Sequence, residues 1–147
     1  MTPEQICAQF LEKDKKVLHF GSDQKLPQYV ELQEYLHLDD LTSIDELPKY
    51  NYAVLVDTLE LVDDPVSLIK QVKNLAETTV IYEFKYDTEF EVNPEWKQPW
   101  KTIGLEFLLT QEFDYVNDVF LGYATIHICK MPYNRELDQR EDENAIR

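Results

Sequence analysis

The chain has 147 residues, 44% of them hydrophobic and 12% aromatic, enough for one domain with a proper core and too apolar for a disordered chain. Its formal net charge of −15 repels nucleic-acid phosphates and anionic membranes, so direct binding to either is not expected. No apolar run approaches the roughly 18 residues of a membrane span, and the N-terminus lacks a basic-then-apolar signal pattern, which makes a cytoplasmic location the expectation.

Thr2-Pro3-Glu4-Gln5 opens a helix, with a hydroxyl cap, proline at the first helical position and glutamine placed to close a capping box. Ile6 and Phe10, joined by Cys7 and Leu11, give that helix an apolar face, and it is expected to end near Lys13–Lys16. Val17-Leu18-His19-Phe20 predicts a short strand, and Gly21-Ser22-Asp23 a tight turn. Residues 24–51 fit two patterns. Leu26, Tyr29, Leu32 and Leu36 suit one helix face, while Val30, Leu32, Leu36 and Leu38 suit strand alternation. A short helix or turn is expected near Ser43–Leu47.

The centre of the chain is clearer. Ala53-Val54-Leu55-Val56 is an unbroken apolar run, short and β-branched, as a strand covered on both faces requires. Asp64 offers its carboxylate to the free amides of a helix, and Pro65 sits where a missing N–H costs nothing. Val66, Ile69, Val72 and Ala76 recur at helical steps, with Lys70 and Lys73 facing away. Thr79–Phe84 is the next strand, so the three segments form a strand–helix–strand unit of the length a parallel crossover needs. The polar and aromatic stretch Lys85–Trp100 is a long loop. Residues 100–110 read as a helix. Phe113–Leu121 and Tyr123–Met131 read as an antiparallel hairpin turning near Gly122. The fold class is therefore α/β: three layers, Rossmann-like, with a mostly parallel sheet and a C-terminal antiparallel hairpin. One domain is expected over residues 1–131, followed by a charged, flexible tail over 132–147.

The charge is uneven. Residues 23–64 hold 11 acids and 2 lysines, hence −9. Solubility explains such a run; a docking face for a basic protein partner, or a mimic of nucleic-acid charge, is the sharper alternative. Asp57, Glu60, Asp63 and Asp64 follow the central strand, at the carboxyl edge where open α/β sheets bind ligands. They could form an acidic site for an amine or a cofactor; helix capping and solvated turns are the favoured reading. His19, His37 and His127 show no ligand spacing, and His127 alternates with Ile126 and Ile128 as a structural strand residue would. No metal site is expected. Cys7 and Cys129 lack a neighbouring base and read as buried free thiols. Tyr82, Tyr86, Phe90, Trp96 and Trp100 could line a pocket or interface, or serve packing.

Three places carry a family resemblance. Val17-Leu18-His19-Phe20-Gly21-Ser22, the Tyr52–Pro65 stretch with Leu59-Glu60 and Asp63-Asp64-Pro65, and the closing helix and hairpin over 100–131 together resemble class I S-adenosylmethionine-dependent methyltransferases. The resemblance implies a cofactor loop at Gly21 and Ser22, an acid near the adenine at Asp39 or Asp40, and Asp57 near the methyl-donor mouth. The chain also departs from the family. His19 stands near the place of the acid that supports the first turn, no second glycine follows Gly21 before Lys25, and residues 21–51 leave little room for the two further strands usual there. No cofactor is therefore expected, with S-adenosylmethionine the one the resemblance admits. The leading expectation is a non-catalytic or weakly ligand-binding relative. The alternatives are an acidic interaction module docking a basic partner and an active small methyltransferase.

Overall fold

A computed structural model describes residues 2–21, 26, 33–37, 47–59, 61–84 and 102–130. In chain order these form α1 (Pro3–Ala8), β1 (Val17–Gly21), β2 (Gln33–His37), β3 (Tyr50–Val56), α2 (Pro65–Leu75), β4 (Ala76–Phe84), α3 (Thr102–Glu112), β5 (Tyr115–Phe120) and β6 (Ala124–Lys130). The Lys85–Trp100 stretch, the tail from residue 132 and all of the element expected near Ser43–Leu47 except Leu47 lie outside the described residues.

The six strands form one sheet in the order β2-β1-β3-β4-β6-β5. β1 pairs in parallel with β2 and with β3, and β3 in parallel with β4. β6 runs antiparallel to both β4 and β5. The two apolar runs of the sequence, Val17–Phe20 and Ala53–Val56, thus lie side by side at the centre, with Leu18 opposite Ala53 and Phe20 opposite Leu55. Apart from the partly buried Val56 both are buried, because helices cover both faces of the sheet.

The two faces have separate cores. Cys7 and Ala8 of α1 pack with Val17, Val54, Val80, Tyr82, Ala124 and Ile126 on one face. On the other, Leu68, Ile69, Val72 and Leu75 of α2 and Leu105 and Leu109 of α3 pack over Leu18, Phe20, Leu55, Ile81 and Cys129. Each fully buried aliphatic side chain of this kind contributes about 1.5–3 kcal/mol. Cys7 and Cys129 are both buried free thiols, and they sit in opposite cores.

Local chemistry sets most boundaries. Thr2 and Gln5 form the expected capping box, each accepting from the other's backbone amide. Asp64 caps α2, its Oδ1 accepting from the Ser67 amide at 3.0 Å. α1 is shorter than expected, stopping at Ala8 rather than near Lys13–Lys16. The Phe10 and Leu11 amides donate three residues back, to Cys7 and Ala8, and tighten the chain out of the α-helical ladder. Asp14, at φ 68, then reverses it. No loop separates α2 from β4, since Ala76 caps the helix already in extended geometry. The hairpin turns at Gly122, whose φ of 86 a side chain would strain, and the Leu121 amide donates to the Ala124 carbonyl at 2.9 Å. The undecided stretch 24–51 contains β2, a strand.

Candidate functional site

In a sheet of this order the chain leaves β1 toward one edge and returns at β3 toward the other, so the carboxyl ends of β1 and β3 flank the crevice where ligands bind such folds. Gly21 ends β1 there, in register with His37 at the end of β2. Asp57 follows β3 with φ 45, a left-handed conformation that aspartate tolerates better than most residues. Its amide donates to the Tyr82 carbonyl at 3.0 Å, carrying the pairing with β4 one residue past the strand. Ser22 and Asp40, the other two residues expected at a cofactor site, lie outside the described residues, as do Asp39 and Glu60.

The turn after β3 is pinned from below. The Thr58 hydroxyl, fully buried, lies 3.1 Å from the Val56 carbonyl and 3.4 Å from that of Phe20, so one hydroxyl spans the ends of both central strands. Leu59 is fully buried in the core beneath α2. Asp63 and Asp64 are exposed, and the carboxylate of Asp64 is engaged in capping α2. Of the four acids that follow the central strand, Asp57 is the one the described structure brings to the crevice.

His19 is 1% exposed in the middle of β1, flanked by Tyr35 of β2 and Val54 of β3. Burial lowers its pKa from 6.5 to about 4, so the imidazole is neutral at physiological pH. On the α1 side, Glu4 is buried. Burial pushes the Cys7 thiol up to about 12, helped by the negative charges of Glu4 and Asp57. Burial likewise raises the Tyr82 phenol, with Asp57, Tyr123, Cys7 and Glu4 adding in that order. Neither group ionises near neutrality, so Cys7 is no nucleophile. Tyr82 belongs to the α1-side core; Tyr86, Phe90, Trp96 and Trp100 lie outside the described residues.

His127 carries a partner that sequence reasoning missed. Its Nδ1 lies 2.6 Å from Oδ1 of Asp118, directly across the β5–β6 pair, and the histidine is 1% exposed. Burial lowers its pKa and Asp118 opposes that by raising it, with burial the larger effect. The signal was available: once the turn is fixed at Gly122, hairpin register puts residues 118 and 127 opposite each other. Among the described residues, no group of three or more His, Cys, Asp or Glu side chains could hold a metal ion. No helix among them is long and apolar enough to cross a membrane.

Strand order, the parallel centre and the antiparallel closing hairpin define the fold of class I S-adenosylmethionine-dependent methyltransferases. Solved structures agree. A SAM-dependent methyltransferase from Aquifex aeolicus superposes with a TM-score of 0.62 at 12% identity, covering 88% of this chain and 89% of that one. A SAM-dependent methyltransferase from Thermotoga maritima, described as a possible histamine N-methyltransferase, gives 0.58 at 13% identity over 87% of both chains. An O-methyltransferase family protein from Burkholderia thailandensis also gives 0.58, at 11% identity; 83% of this chain is covered but only 52% of that one, so the chain spans about half its length. The N-terminal domain of EvdMO1, solved with SAH bound, gives 0.57 at 9% identity. No family model matches the sequence, and no curated protein matches it either.

At the first turn the described residues depart from the pattern that the family resemblance implies. Where the family places an acid to support the first turn, this chain has a buried, uncharged imidazole. β2 ends at His37, and Asp39 and Asp40, the acids that follow it, lie outside the described residues.

Proposed function

We propose that this protein keeps the methyltransferase scaffold but has lost tight S-adenosylmethionine binding, and acts as a non-catalytic or weakly ligand-binding member of that fold. The observation that carries the reading is His19, buried and neutral in the central strand two residues before Gly21. A neutral imidazole cannot supply the negative charge that holds the first turn in active relatives. The sequence agrees, because Ser22, Asp23, Gln24 and Lys25 follow Gly21 where further glycines would let the backbone approach the cofactor.

Isothermal titration of the full chain with S-adenosylmethionine tests the reading. The expected isotherm is flat, or fits only a millimolar dissociation constant. A saturating micromolar isotherm would overturn the proposal in favour of an active enzyme.

A further inference from the structure

Glu83 is the penultimate residue of β4 and is 3% exposed. Both of its carboxylate oxygens are buried with no hydrogen-bond partner. Directly across the antiparallel pair stands Thr125, 2% exposed, whose hydroxyl oxygen is likewise buried and without a partner. Buried polar groups are normally satisfied, so two facing orphans call for an explanation.

Their position narrows it. Glu83 lies at the carboxyl edge of the sheet, level with Asp57 on the neighbouring strand, because the Asp57 amide bonds the carbonyl of Tyr82. Asp57, which follows β3, is a second acid at that end of the sheet, and its charge acts toward Cys7 and Tyr82 on the α1 side. His127 stands on the same face, two residues along β6 from Thr125, and its Nδ1 is held by Asp118. Lys73 and Lys70 are drawn to Glu112, and Lys130 lies over the Tyr115 ring at the opposite end of β6 from Thr125.

A carboxyl group buried without a partner is costly in its ionised form; a neutral donor would satisfy its oxygens alone, whereas an ammonium group would also balance the charge. We propose that the carboxyl end of β4 and the amino end of β6 beside it, centred on Glu83 with Thr125 opposite, bind a small molecule through a protonated amine. The proposal goes beyond the reading of the cofactor loop and does not depend on it, since none of these residues belongs to that loop.

The test uses the full chain with no S-adenosylmethionine added, so its outcome is separate from the fate of the cofactor proposal. Benzylamine is titrated by calorimetry into the wild type and into Glu83→Gln, with benzyl alcohol as the uncharged probe. Saturable benzylamine binding is expected in the wild type, with at least about tenfold weaker binding in Glu83→Gln and weaker binding of benzyl alcohol. Equal affinity of the variant, equal affinity for the alcohol, or no benzylamine binding to the wild type would overturn the proposal. Should Glu83→Gln not fold, carbon-13 NMR of the wild-type Glu83 carboxyl decides. A shift that saturates with benzylamine supports the site, and an unmoved signal removes it.

Discussion

A histidine held neutral inside a central strand leaves a mark on stability. Unfolded, His19 takes a proton near pH 6.5; folded, it does so only near 4. Between those values the unfolded chain binds more protons than the native one. The contribution of His19 is therefore fully present above pH 6.5 and lost as pH falls toward 4, by about 3 kcal/mol in all. His127 acts in the same direction, because its folded pKa is also lowered. Urea titrations across this range should show wild-type stability falling with acid, and a His19→Leu variant should lose less of its own. Parallel curves for the two proteins would show that His19 is not the titrating group. At this scale the sequence was legible for residues whose job is local: Asp64 as a cap, Pro65 after it, Gly122 in the turn. It was silent on Glu83 and on the Asp118–His127 pair, since their meaning depends on which strands become neighbours.

Among the elements, α2 depends most visibly on its ends. The carboxylate of Asp64 meets the Ser67 amide at 3.0 Å, so Asp64→Ala should cost about 1 kcal/mol of unfolding free energy. A change within error would mean that water replaces the cap fully. α3 offers a sharper contrast. Leu109 is fully buried under the sheet and Phe107, two residues earlier, is 68% exposed. Leu109→Ala should cost about 2–5 kcal/mol, whereas Phe107→Ser should stay within about 0.5 kcal/mol. Denaturant midpoints of the two variants check this, and equal losses would mean that α3 packs with another face. Periodicity located both helices, although α3 runs Thr102–Glu112 rather than over 100–110. It could not settle β2, because this edge strand has no apolar run: Glu34 is exposed and Gln33 and Leu36 are only partly buried. Glu34 instead accepts a hydrogen bond from the Tyr50 hydroxyl, a long-range tie that no local pattern announces.

At the scale of the whole molecule, two short apolar runs were enough to fix the architecture. Val17–Phe20 and Ala53–Val56 admit burial on both faces, and their parallel pairing at the sheet centre produces the methyltransferase order around them. The site was less legible than the fold. Gly21 ends β1 and Asp57 follows β3, Ser22 and Asp40 fall outside the described residues, and the buried carboxyl group at Glu83 was not foreseen. The proposed loss of tight cofactor binding rests on chemistry at the mouth of β1, not on topology.

Nitrogen-15 NMR of the labelled full chain, following the Gly21 amide and the His19 ring during addition of S-adenosylmethionine, examines that chemistry where it resides. Both signals should stay in place, or drift without saturating into the millimolar range. Displacement of either one with a micromolar midpoint would contradict the loss of tight cofactor binding.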